Sequence, residues 1–195
     1  MSEYQDIKPV QPAPPPGSER RFTAETKARL DELVSRYPTK KAALLPALWV
    51  AQEVYDGILT SEAMLEVAEH LELPPADVAG VATFYTMYNK NRIGKHHIEI
   101  CQNVSCMVLG AEELIHHCEK KLGVVAGQTT TDGMFTLARV ECLGACCNAP
   151  AVQVGSTYYE DVTIPQMDAL LDELKNQPSE VAKPPQAQMP EQTGF

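Results

Sequence analysis

Apolar side chains recur at three- and four-residue intervals through the first half of the chain, then switch to alternation. After a capping Thr23, the positions Leu30, Leu33, Val34 and Tyr37 predict a helix that Pro38 ends. Ala42, Leu45, Leu48, Trp49 and Gln52 predict a second helix reaching Tyr55, with Trp49 in the core. Pro46 must lie in its first turn, where the missing amide breaks no helical bond, and Gly57 supplies its stop. Thr60 or Ser61 caps a third helix with Met64, Leu65, Ala68 and Leu71 on one face. Pro74 and Pro75 interrupt, and a short fourth helix spans Ala76 to Phe84. Four amphipathic helices on short connections predict a small helical bundle.

Near Lys95 the pattern changes. His97 to Cys101 alternates as a strand does. Ala111, Leu114, Ile115, Cys118 and Leu122 mark an amphipathic helix that Gly123 ends. Phe135 to Glu141 is extended again. Val152–Val154 and Tyr158–Tyr159 read as a hairpin around Gly155 and Ser156. Thr163 and Gln166 form a capping box ahead of a helix carrying Met167, Leu170, Leu171 and Leu174. Strand, helix, strand, strand, helix is the order of a thioredoxin-like α/β sandwich.

Five prolines between Pro9 and Pro16 deny the opening segment a helix. The end of the chain is again rich in Pro and Gln. The expected organisation is therefore α+β in two domains: a disordered tail at 1–18, a helical bundle at 19–92, a thioredoxin-like domain at 93–176 and a disordered tail at 177–195. No internal repeat is visible. A net charge of −10 lacks the basic face of a nucleic-acid binder. No apolar run approaches the roughly 18 residues of a membrane span. Met1 to Asp6 has neither a basic start nor an apolar run, so no cleavable leader is expected.

Six cysteines then decide the candidate chemistry. In a reducing compartment, clustered cysteines are more often metal ligands than disulfides. Cys101 ends a strand, and Cys106 is expected just ahead of a helix, whose first amides could donate to an anionic sulfur. Cys142 follows a second strand, and Gly144 permits the turn that returns Cys146 to the same point. Two ligands per loop, on neighbouring strands, suit a [2Fe–2S] rhomb with one loop per iron. Structural zinc prefers Cys-x₂-Cys knuckles, and a dithiol enzyme needs Cys-x-x-Cys, so both fit poorly. A Rieske centre would recruit two of His96, His97, His116 and His117, but four cysteines suffice without them. Cys118 sits on an apolar helix face and is expected buried. Spacing alone leaves open whether Cys146 or Cys147 ligates.

The ordered series Val81-Ala-Thr-Phe-Tyr-Thr-Met-Tyr88, Gly94-Lys-His-His, Cys101-x₄-Cys106, Lys120-Lys-Leu-Gly123, Gly127-Gln-Thr-Thr, Phe135-Thr-Leu and Glu141-Cys-Leu-Gly-Ala-Cys-Cys-Asn-Ala-Pro150 closely resembles one family. It is the thioredoxin-like [2Fe–2S] subunit of respiratory NADH:quinone oxidoreductase (complex I). The resemblance covers about residues 20 to 175. It implies ligands at Cys101, Cys106, Cys142 and Cys146 and a non-ligand at position 147, where a cysteine departs from the family pattern. It implies an electron-transfer role, with FMN and NADH on a larger flavoprotein partner, and contact with a neighbouring peripheral-arm iron–sulfur subunit. It places the chain in the cytoplasm, peripheral to the inner face of a bacterial inner membrane, or on the matrix side in a mitochondrion. The resemblance also spans the equivalent diaphorase subunits of NAD-linked hydrogenases and formate dehydrogenases. A free-standing thioredoxin-like ferredoxin would need neither the helical domain nor the tails. No Gly-x-Gly-x-x-Gly or P-loop is present, so no complete active site is expected in this chain alone.

Overall fold

The computed structural model describes residues 20–177, and the disordered tails expected at 1–18 and 177–195 lie outside them, Gln177 apart. The chain divides into two compact units, Met1–Arg92 and Ile93–Phe195.

In the first unit, four helices follow one another: α1 (Ala24–Ser35), α2 (Leu44–Val54), α3 (Ser61–Leu71) and α4 (Pro75–Phe84). Thr23 caps α1 by accepting from the Thr26 amide at 3.2 Å, and Thr60 caps α3 by accepting from Ala63 at 3.1 Å. Helix α2 begins at Leu44, which leaves Pro46 in the first turn, where amides have no helical acceptor. That start shifts the buried face to Leu44, Ala47, Leu48 and Ala51. Ala42, expected on that face, precedes the helix and is exposed. Trp49 packs at the margin of the core with its ring edge-on to Tyr88, 5.9 Å between centroids. The stop of α2 uses Asp56 as well as Gly57, with φ of 57° and 81°, and the Gly57 amide returns to the Gln52 carbonyl at 2.7 Å.

Two expected core residues point outward: Tyr37 is 39% exposed and Leu65 37%. On α3 the buried face carries Glu62 and Glu66 instead. Glu66 is tolerated there because its carboxylate is fully engaged. It accepts the Arg21 amide at 3.0 Å, the Phe22 amide at 3.3 Å and the Tyr55 hydroxyl at 2.6 Å.

In the second unit, a four-stranded sheet runs in the order β2-β1-β3-β4. The strands are β1 (His96–Cys101), β2 (Phe135–Val140), β3 (Val152–Val154) and β4 (Thr157–Tyr159). Strands β1 and β2 are parallel, in register from His96 opposite Phe135 to Cys101 opposite Val140. The β1–β3 and β3–β4 pairs are antiparallel. Alternation turns Ile98, Ile100, Leu137, Val152 and Val154 to one face. There they meet Leu114, Ile115 and Cys118 of α6 (Ala111–Leu122) and Met167, Leu170, Leu171 and Leu174 of α7 (Ile164–Leu174). The capping box is present, with the Thr163 amide donating to Gln166 Oε1 at 2.8 Å. Gly94 lies where an added Cβ would come within 2.9 Å of the Phe135 carbonyl carbon, so only glycine fits. One helix was not expected: α5 (Val104–Val108), too short to show a period.

The opposite face of β1 carries His97 and Glu99, flanked by Ala138 on β2 and Gln153 on β3. Burial holds the His97 imidazole down at about 4 and pushes the Glu99 carboxyl up to about 7. The folded chain therefore keeps a proton on Glu99 that the unfolded chain releases, and stability falls as pH rises from about 4.5 to about 7. His97 acts in the opposite sense, with stability rising from about 4 to about 6.5. Glu99→Gln removes only the falling contribution. Its urea midpoint relative to the parent chain should rise between about pH 5 and pH 8, by at most about 3 kcal/mol in stability. A difference that stays constant over that range would show that Glu99 does not titrate there.

Candidate cluster site

Parallel pairing of β1 and β2 sets the geometry. Both strands finish at the same edge of the sheet, so the loop after Cys101 and the loop after Val140 leave side by side. The Gln102 amide donates to the Val140 carbonyl at 2.9 Å and extends that pairing by one step.

The first loop rises from Cys101 and passes through α5. Cys106 sits inside that short helix, not ahead of a helix as its sequence position suggests. Asn103 caps α5, accepting from the Val104 amide at 2.8 Å. Gly110, at a φ of 100°, then breaks the chain between α5 and α6. The second loop turns at Gly144, whose φ of 80° only glycine adopts without strain. It closes in a single 3₁₀ turn, Cys146–Asn148. Glu141 joins the loops. Its carboxylate accepts from Gln102 Nε2 at 3.3 Å and Asn103 Nδ2 at 3.4 Å, and its carbonyl accepts from the Cys101 thiol at 2.9 Å. Asn148 holds the far end, donating from Nδ2 to Asp161 at 3.1 Å.

Four thiols come together here as two pairs. Cys101 and Cys106 are neighbours, each 2% exposed, in a small apolar setting of Ala111, Ala149 and Ala151 edged by Leu143 and Ala145. Cys142 and Cys146 are exposed, with their sulfurs 4.0 Å apart. Two thiolates on one tetrahedral metal at about 2.3 Å stand roughly 3.8 Å apart, so the exposed pair is already at chelating distance. The two pairs feel each other, since Cys146 is influenced by Cys101 and Cys106 lies beside Cys101.

Burial pushes the Cys106 thiol up, opposed by the nearby Ala151 backbone. The nearby Cys142 thiol pushes Cys146 up, opposed by the Ser105 side chain. Crowded thiols resist becoming thiolates together unless a cation compensates them, which a bound metal does. Two pairs side by side suit a centre with two metals, one pair on each. Four cysteine sulfurs, paired two and two, are the donor type a [2Fe–2S] cluster takes.

The remaining candidates fall away from the thiols. Cys118 is fully buried, and burial pushes its thiol up to about 12. Cys147 is exposed on the 3₁₀ turn. His117 Nε2 donates to Asp168 Oδ1 at 2.7 Å between α6 and α7, and His116 is exposed. His96 is buried beside the Phe135 ring. The two residues beside the thiols that favour their charged forms, Ser105 and Ala151, carry no signal in the sequence. They become visible only when the second loop folds back over α5.

The family model for the thioredoxin-like [2Fe–2S] ferredoxin matches residues 30–175. A component of the NADH-quinone oxidoreductase of Rickettsia felis is 44% identical over 148 residues, which is 75% of this chain and 89% of that one. A component of the same enzyme from Rhizobium meliloti is 42% identical over 146 residues, 75% of this chain and 86% of the relative. Among solved structures, an NAD⁺-reducing [NiFe]-hydrogenase in its H₂-reduced state superposes with a TM-score of 0.58 at 23% identity, over 68% of this chain and 23% of that one. The fold, the paired thiols and these likenesses agree: the chain belongs to the thioredoxin-like [2Fe–2S] ferredoxin family.

Proposed function

We propose that this chain is the cluster-carrying electron-transfer component of an NADH:quinone oxidoreductase. Cys101, Cys106, Cys142 and Cys146 hold the [2Fe–2S] cluster, and the two compact units are its helical and cluster domains. The observation that carries this reading is the convergence of two cysteine pairs at one edge of the parallel β1–β2 pair. The NADH-quinone oxidoreductase relatives, 89% and 86% of whose lengths are covered, support the choice of complex. FMN and NADH belong to the partner flavoprotein, and a neighbouring iron–sulfur protein flanks it. No helix among the described residues is long and apolar enough to cross a membrane. That suits a peripheral position on the cytoplasmic face of a bacterial inner membrane, or the matrix side in a mitochondrion. The second reading, the equivalent component of an NAD-linked hydrogenase, rests on a likeness of fold at 23% identity.

Bound at these thiols, the cluster supplies one-electron redox chemistry that no side chain provides. The chain's own part is to fix its place and its potential. The buried pair anchors one side in an apolar setting, and the exposed pair leaves the other side open to a partner. The Ala151 backbone and the Ser105 side chain lie near Cys106 and Cys146 and favour their charged forms, so they are placed to act as donors to sulfur. Such donors favour the more negative, reduced form and so raise the potential.

Cys142→Ala should abolish the visible absorption of the anaerobically purified chain, whereas Cys118→Ala should retain it. A Cys142→Ala protein with a full spectrum would overturn the ligand set. Ser105→Ala should lower the midpoint potential, leaving the cluster several-fold less reduced at the parent midpoint, and Ser105→Thr should restore it. An EPR-monitored redox titration reads this directly, and identical midpoints would remove Ser105 from the account.

A further inference from the structure

The two cysteine loops, residues 102–110 and 141–151, contain one charged side chain, Glu141. Its place is specific. It directly precedes Cys142 of the exposed pair, and its carbonyl accepts the thiol of Cys101, from the buried pair, at 2.9 Å. Its carboxylate crosses to the other loop, where Gln102 Nε2 donates at 3.3 Å and Asn103 Nδ2 at 3.4 Å. Glu141 therefore stands between one thiol of each pair.

What holds the carboxylate decides what it can do. Both donors are neutral amides, so they orient the charge without cancelling it. Elsewhere in this unit carboxylates meet cations: Glu112 takes Arg139 at 2.9 and 3.0 Å, and Asp168 takes Lys121 at 2.7 Å. The loops and their flanks carry no such cation, since no Lys or Arg occurs between Lys95 and Lys120 or between Arg139 and Lys175. Joining the loops needs an acceptor but no charge, and a neutral amide would serve. A fixed negative charge beside the thiols has a second consequence. It opposes the arrival of an electron, and the opposition grows as the charge comes closer.

We propose that Glu141 is a positioning residue whose charge sets the midpoint potential of the site: its carboxylate, held across the two loops by Gln102 and Asn103, lowers that potential, opposite in sign to Ser105. This rests on the ligand set proposed above. Glu141→Gln separates the charge from the link. Asn103 Oδ1 is occupied by the Val104 amide, which fixes that side chain, but the Gln102 amide can turn. An amide at position 141 then accepts from Asn103 and donates to the turned Gln102, so both contacts survive and only the charge is lost.

The test uses the full chain with its cluster, in EPR-monitored redox titrations at about 0.05 and about 0.5 M salt. Glu141→Gln should raise the midpoint, leaving the cluster several-fold more reduced at the parent midpoint, and Glu141→Lys should raise it further. Both differences should shrink at the higher salt, because salt screens a charge and leaves a hydrogen bond in place. A purely structural role predicts neither the ordering by charge nor the dependence on salt. A Glu141→Gln chain that keeps its cluster with an unchanged or lowered midpoint overturns the proposal. If Glu141→Gln loses its cluster, Gln102→Lys, which sets a cation against the same carboxylate, is read instead. A raised midpoint there supports a field acting from this point, and an unchanged one overturns it. A parent chain that never shows a [2Fe–2S] signal overturns the ligand set itself, which separates the two failures.

Discussion

The site depends on one pairing. Strands β1 and β2 run parallel, with Cys101 opposite Val140. Had they run antiparallel, the two cysteine loops would leave from opposite edges, a strand's length apart. Parallel strands require a crossover, and α5 and α6 lie in it, α6 covering one face of the sheet. The core therefore does two things at once. It holds the strands in register through Ile98, Ile100 and Leu137, and it fixes the points from which both loops start. A slip of one residue would turn Cys101 to the other face and break the convergence.

The loops add the finer placement. Glu141 is the single charged side chain within them, and it is spent on linking one loop to the other. Gly144 and Gly110 permit the two sharp changes of direction. The result is asymmetric, with one thiol pair sealed among alanines and the other facing outward. An open side allows close approach by a partner, and a sealed side protects the other two thiols from water.

Much of this is legible in the sequence, and the exceptions have physical reasons. The helices of both units, the hairpin and the capping box follow from periodicity and turn chemistry, which act locally. The phase of α2 escapes because Pro46 tolerates several early positions. Leu65 and Glu66 exchange their expected places because Glu66 finds the Arg21 and Phe22 amides and the Tyr55 hydroxyl, partners distant in sequence. Helix α5 is too short to show a period, which hides that Cys106 lies within a helix and not before one. Ser105 and Ala151 stay hidden because nearness to a thiol across two loops leaves no pattern along the chain. The paired cysteines themselves are plain from spacing and type.

The central claim is that four thiols from two loops hold a two-iron centre. EPR of the anaerobically purified, dithionite-reduced chain, with iron and acid-labile sulfide measured on the same sample, tests it most directly. The account predicts one unpaired spin with a rhombic signal and about two irons and two sulfides per chain. A colourless, EPR-silent protein carrying a single zinc ion would contradict it and leave the site a structural one.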